Sequence, residues 1–277
     1  MSSNMKPSYF LLALFSGLFL VSPRASATEL LINGGFELNG GAGTSVLTGW
    51  TVNNWDSNAG GSWYAQTGNL SPVNGFPVQP PPQGNFAAMT DGTGPSSQAL
   101  TQSFTAPAGP GTFTLSFDYF YSYGSFNGTF PWGSSYAPPA TLDYNFFSNT
   151  GQLNDQAVVN ILSSGAGAFD NSGPTVVQNV LGLNPTMLGD PNSNPCFPQM
   201  CSYTSVNVPL TGLVAGNTYK LQFAEVDDQG AFNFGVDQVS VQFTPNPVPE
   251  PGSFALLASG IAAGLVRRWR KVRTVSV

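Results

Sequence analysis

Gly, Pro, Asn, Ser and Thr break this chain about every 8 to 12 residues, too often for a helix of ordinary length to run between them. The chain holds 32 Gly and 23 Pro in 277 residues, and the runs left between these breaks are β-prone. Alternating or apolar runs recur at 50–55, 62–65, 86–89, 99–104, 112–121, 140–147, 156–162, 205–208, 218–226 and 234–243. In one of them Phe113, Leu115, Phe117, Tyr119 and Tyr121 fall on one face, while Thr114, Ser116, Asp118 and Phe120 take the other. That period of two marks a half-buried strand. Near the C-terminus Val236, Val239, Val241 and Phe243 continue the pattern with a one-residue irregularity at Gln238, which predicts a bulge. The expectation is an all-β domain, a single sandwich or barrel. Three stretches stand outside it as long loops: 67–84, with five prolines, which cannot be a central strand; 124–139, rich in aromatics; and 163–202.

The two ends have a different character. Lys6 precedes an apolar run from Phe10 to Val21, closed by Ala25-Ser26-Ala27. This order is that of a secretory signal peptide, residues 1–27, which signal peptidase is expected to cut between Ala27 and Thr28. At the other end, Val248-Pro249-Glu250-Pro251 is followed by the apolar run Phe254 to Val266 and then by Arg267, Arg268, Arg270, Lys271 and Arg273. As a helix, about 14 apolar residues rise roughly 21 Å, short of a hydrocarbon core of roughly 30 Å. Such a short membrane helix needs local thinning or snorkelling flanks, and its basic end stays cytoplasmic. The body between, residues 28–247, is then exported.

Pro249-Glu250-Pro251, a short Gly/Ala/Leu helix and an Arg-rich tail, together 248–273, resemble the PEP-CTERM sorting signal of Gram-negative bacteria. The resemblance implies an inner-membrane intermediate, recognition and cutting by the transpeptidase exosortase, and delivery to the outer surface or extracellular matrix.

With the ends set aside, the body keeps one cation, Lys220, against thirteen Asp and Glu, a net charge of about −12. Such a surface has no means of neutralising phosphates, so nucleic acid is excluded as a partner, whereas divalent cations are not. The absence of histidine removes Ser-His-Asp and Cys-His catalysis and His-ligated zinc. Cys196 and Cys201 share a Pro-rich loop, and in an oxidising compartment they are expected to form a small disulfide.

Asn33-Gly34-Gly35-Phe36-Glu37, followed by Gly49-Trp50-Thr51-Val52, and the closing Gly235-Val236-Asp237-Gln238-Val239-Ser240-Val241 resemble the first and last strands of galactose-binding-like jelly rolls, the fold of several carbohydrate-binding modules. The resemblance implies an antiparallel jelly-roll β-sandwich. It also implies a structural Ca²⁺ held by Glu37 and Asp237, with main-chain carbonyls near Asn33 and Gly35, against the alternative that both acids only shape turns. For a sugar ligand the candidate stacking residues are Trp55, Trp63, Tyr64 and Trp132, interleaved with Asn53, Asn54, Asp56, Gln66 and Asn127; Trp50 reads as core. Lys220, Glu225, Asp227 and Asp228 read as a strand running into a polar turn.

Three functions stay open on these grounds. The first is a surface or matrix protein that binds or organises exopolysaccharide, without enzymatic activity. The second is a secreted glycan hydrolase using Asp/Glu pairs, and the third is a purely structural surface protein.

Overall fold

The computed structural model describes residues 26–55, 60–94, 96–124, 144, 156–183, 202–227, 231–246, 260–262 and 264. Within them the turn-bounded runs become eleven strands: β1 (Thr28–Glu29), β2 (Thr51–Asn54), β3 (Gly61–Gln66), β4 (Ala87–Gly92), β5 (Ser96–Thr105), β6 (Gly111–Gly124), β7 (Gln156–Ser163), β8 (Val176–Leu183), β9 (Thr204–Leu210), β10 (Thr218–Asp227) and β11 (Ala231–Pro245). They form two sheets, one ordered β3-β4-β11-β6-β9 with β1 added alongside β11, the other ordered β2-β5-β10-β7-β8. Pairing is antiparallel at each interface for which a register is defined. The chain passes repeatedly from one sheet to the other, and the body Ala27–Thr244 forms one compact unit, an antiparallel β-sandwich.

Period-two alternation builds the core. Phe113, Leu115, Phe117, Tyr119 and Tyr121 of β6 face inward together with Trp63 of β3, Leu100 of β5, Ile161 of β7, Leu221 and Phe223 of β10, and Phe234 of β11. The two sheets meet through Phe117 and Phe223, edge to face at 5.4 Å, a favoured arrangement of the ring quadrupoles. Trp50 is buried in the same cluster and donates its indole N–H to the Asn33 carbonyl at 3.1 Å. The irregularity at Gln238 is a backbone feature: its φ is 53°, in the left-handed region. The extra residue shifts the inward phase, so that Phe234 and Val236 before it and Val239, Val241 and Phe243 after it are all buried.

Two expectations about strands change. The segment 30–37 is turn and loop, with Asn33 and Phe36 both at positive φ, and only Thr28–Glu29 pairs with β11, opposite Phe243 and Gln242. A second strand, β8, lies within the stretch 163–202 expected to be loop. It is an edge strand carrying half-buried residues, so it lacks the strong inward alternation of a central strand. Of the run 140–147 only Tyr144 lies within the described residues, outside any strand.

Toward the C-terminus, residues 260–262 and 264 are helical. Among the described residues no helix is long and apolar enough to cross a membrane.

Candidate functional site

The outer face of the six-stranded sheet is acidic and roofed. Gly235 of β11 lies directly under Phe120 of β6, so closely that a Cβ there would meet the ring at 2.0 Å. Phe120 packs with Met89, Val78 and Tyr203 beneath the Pro-rich segment that precedes β4. Two residues further along each strand come Asp118 and Asp237 on the same face. Asp118 accepts hydrogen bonds from Ser205 Oγ at 2.5 Å and from Gln238 Nε2 at 2.6 Å. Asp237 is fully buried; its Oδ1 accepts from the Gln238 N–H at 2.7 Å, and its Oδ2 makes no hydrogen bond of ordinary geometry among the described residues, although the Gln83 main-chain N–H lies near the carboxyl. Burial first, and then the negative charges of Asp118 and Glu37, push the Asp237 carboxyl up to about 7, against the opposing pull of the Gln238 and Gln83 main-chain N–H groups.

Glu37 reaches this face from the N-terminal loop. Its Oε1 accepts from the Asn85 and Phe86 N–H groups at 2.8 and 3.0 Å, stapling the end of the Pro-rich segment over Asp237. Gly84 makes this approach possible: its φ is +68°, and a Cβ there would lie 2.1 Å from Glu37 Oε1. A buried carboxylate oxygen with no donor at ordinary geometry, next to a second carboxylate that raises its cost of ionisation, is chemistry that suits a hard divalent cation. Glu37 and Asp237 are therefore brought into one electrostatic neighbourhood. Among the described residues no group of three or more Asp, Glu, His or Cys gathers as a metal cluster, so further ligands here would be main-chain carbonyls and water.

The outer face of the five-stranded sheet is covered at one end, where Tyr144 and Phe169 pack over Ala99, Ala224 and Val226, and open at the other. A groove of about 580 Å³ crosses it, within the range of small-ligand sites, with the polar residues Thr51, Asn53, Thr101, Gln102, Ser103 and Lys220 in its lining. Leu30 and Ile32 close one end. They are held there by Gln102, whose Oε1 accepts from the Ile32 N–H at 2.7 Å and whose Nε2 donates to the Ile32 carbonyl at 3.0 Å. The opposite wall is the β7–β8 connection through Ala166, Gly167 and Ala168. Lys220 Nζ donates to the Ala166 carbonyl at 2.6 Å, and Gln222 Nε2 donates to the carbonyls of Ala168 and Asp170 at 2.6 and 3.0 Å. An amide ladder backs Gln222: Asn179 Nδ2 donates to Asn160 Oδ1, and Asn160 Nδ2 to Gln222 Oε1, both at 2.8 Å.

Trp55 continues the outward face of β2 two residues beyond Asn53, where its N–H still bonds the Ser97 carbonyl at 2.9 Å. It is 52% exposed. Its ring stacks on Tyr144 with centroids 5.8 Å apart and meets Phe169, next to Ala168 of the groove wall, edge-on at 5.3 Å.

The three described aromatic candidates, Trp55, Trp63 and Tyr64, do not converge. Trp63 is 0% exposed and packs edge-to-face on Phe234 at 5.7 Å, so its ring has no face for a sugar and the expectation is corrected: it is a core residue. Tyr64, half-buried, takes the other side of β3 in the six-stranded sheet, far in topology from Trp55; burial and then Asp91 raise its phenol above the ordinary value. Trp132, Cys196, Cys201, Pro249, Glu250 and Pro251 lie outside the described residues. The charged residues of β10 separate as the strand alternates: Glu225 turns inward, where Thr90 Oγ1 donates to its Oε2 at 2.6 Å, while Lys220 turns outward into the groove. Sequence reading missed Thr101, Ser103 and the outward role of Lys220; the alternation in 218–226 was the available signal, but the partner strand lies more than a hundred residues away.

The fold and its surfaces define an antiparallel β-sandwich on a chain with a sorting tail. Residues 247–271 match the model described as the PEP-CTERM protein-sorting motif. The motif implies export, exosortase processing and a cell-surface or extracellular location in Gram-negative bacteria. No curated protein matches the chain. Solved structures with a similar fold include the carbohydrate-binding module TmCBM61 in complex with β-1,4-galactotriose (13% identity, 77% of this chain and 97% of that one, TM-score 0.40). They also include a Stig cyclase from Fischerella sp. TAU (14%, 79% and 99%, TM-score 0.43) and the K1 cleaved adhesin domain of Lys-gingipain from Porphyromonas gingivalis W83 (12%, 80% and 99%, TM-score 0.38).

Proposed function

We propose that this exosortase-sorted protein is a glycan-binding module of the cell surface or extracellular matrix, and that it holds exopolysaccharide in the groove over β2, β5 and β10. The observation that carries the reading is the groove itself, with hydroxyls, amides and an ammonium in its lining and a half-exposed indole at its flank. Sugar recognition asks for that combination: an aromatic plane for the C–H face of a ring, and fixed polar groups for its hydroxyls. The reading favours binding over turnover, because glycoside hydrolysis by the usual route needs two carboxylates about 5 to 10 Å apart across the bond, and the described residues lining the groove include no Asp or Glu. We further propose that Glu37 and Asp237 hold a structural Ca²⁺ on the opposite sheet, where it stabilises the Pro-rich roof without touching the glycan.

Affinity measurements against the producer's own exopolysaccharide test the binding reading. Trp55→Ala is expected to weaken binding about tenfold, the scale of one lost aromatic contact of 1 to 2 kcal/mol, with the fold retained. Equal affinity in the variant and the parent protein would remove the groove from consideration.

A further inference from the structure

We propose that the groove selects anionic polysaccharide, with Lys220 pairing a sugar carboxylate; this rests on the glycan-binding reading above and specifies its substrate class. The argument begins with charge placement. The body has one cation against thirteen acids, yet the described residues lining the groove contain that cation and no carboxylate. The sign of the local charge is thus inverted where this sheet face is concave enough to hold a ligand.

The register fixes where the charge sits. On the outer face Lys220 of β10 lies between Ser103 of β5 and Leu162 of β7, and the next outward pair across the same strands is Gln222 with Thr101. An ammonium carries three N–H donors. One is spent on the Ala166 carbonyl at 2.6 Å, which holds the stem in place; the other two have no partner among the described residues. Ser103 lines the groove beside it, so its hydroxyl and the ammonium are neighbours that a sugar carboxylate and its ring hydroxyls can address together. Asp170 stands behind the groove wall: its Oδ1 lies 3.1 Å from where a Cβ on Gly167 would be, and its main-chain carbonyl is taken by Gln222.

The net charge of the body opposes approach of a polyanion, but that repulsion is long-range and is screened over about 8 Å at physiological ionic strength. The Lys220 pair is made in contact, where screening by salt is weaker. A groove lined by the acids that dominate the rest of the surface would reject uronates; this one does not carry them.

The test uses the full chain in detergent and a matched ligand pair: short oligouronates, which do not gel, and the same oligomers after reduction of their carboxyls to neutral sugars. The parent protein is expected to bind the oligouronate about tenfold more tightly than its reduced form, the scale of one charge-assisted contact. Lys220→Gln is expected to abolish that preference, and Lys220→Arg to retain most of it. The comparison of ligands on the parent protein needs no variant, so a folding defect in Lys220→Gln does not blunt it. Equal or tighter binding of the reduced oligomer overturns the anionic selectivity while the glycan-binding reading stands. Failure to bind either member of the pair, or the producer's exopolysaccharide, overturns both.

Discussion

The two sheets present outer faces built on opposite plans. On the six-stranded sheet, carboxylates are drawn under a Pro-rich roof, and one of them, Asp237, is buried with an oxygen left without a donor at ordinary geometry. On the five-stranded sheet the outer face is open at the groove, hydroxyl- and amide-lined there, and carries the body's sole cation, while Tyr144 and Phe169 cover its other end. The contrast separates two jobs that a sandwich can divide between its faces. A covered face of rings and buried charge contributes to stability and depends on whatever neutralises it; an uncovered polar face contributes little to stability and is available to a ligand.

Truncating a residue on each face gives the largest expected difference. Phe120 is 1% exposed and meets the Tyr203 ring edge-on at 4.9 Å. Phe120→Ala leaves a cavity under the roof and is expected to lower unfolding free energy by about 3 to 5 kcal/mol in denaturant titration. Trp55→Ala, on the other face, loses the contacts of a half-exposed ring with Tyr144 and Phe169 and is expected to cost about 1 kcal/mol. Similar losses at the two positions would mean that the open face is a second core and not a binding surface.

The same division explains what the sequence made legible. The inward stripe of β6 and the phase shift at Gln238 were readable because period-two patterning is a local signal, carried by five or six consecutive residues. Within Gly61-Ser62-Trp63-Tyr64, adjacent residues of a strand point to opposite faces, so Trp63 and Tyr64 were never able to serve one sugar site together. What locality does not carry is which strands become neighbours. Thr101 and Gln222 face each other across β5 and β10, and nothing near either residue announces the other. Glu37 and Asp237 were legible as a pair only through resemblance. The roof that buries Asp237, drawn down by Glu37 at Asn85 and Phe86, comes from a segment the prolines identified merely as unable to be a central strand.

The covered face also predicts a pH signature. The Asp237 carboxyl titrates near 7 in the folded chain, against an ordinary value of 3.8. Between those two values the folded state keeps a proton that the unfolded state has released. In calcium-free protein the stability from this group is therefore fully present below about pH 4 and is lost as pH rises through about 7, with a slope of at most about 1.4 kcal/mol per pH unit. Calcium opposes this loss, since it binds the ionised carboxylate of the folded state, so its stabilisation grows as pH rises toward 7 and flattens the slope; at a hundred times its dissociation constant the gain for the ionised form is about 2.7 kcal/mol. Thermal melts from pH 4 to 8 with chelator and with calcium measure both slopes. Asp237→Asn is expected to flatten both, and an unaltered calcium response in that variant would remove the metal from this face.

The smallest expected effect belongs to the open face and tests how its wall is held. Asn179, exposed on the edge strand β8, supports Asn160, which supports Gln222, which grips the carbonyls of Ala168 and Asp170. Removing the outermost amide, Asn179→Ala, breaks one hydrogen bond and is expected to cost about 1 kcal/mol or less, because solvent reaches the site and replaces part of what is lost. Its consequence is local: Asn160 Oδ1 loses its donor, the ladder gains freedom, and the groove wall is no longer fixed from behind. Amide exchange at 166–170 is expected to accelerate while exchange in the roof at 84–86 stays unchanged. Equal acceleration on both faces would show that the ladder braces the whole sandwich, and that the two faces are coupled through the core and not independent.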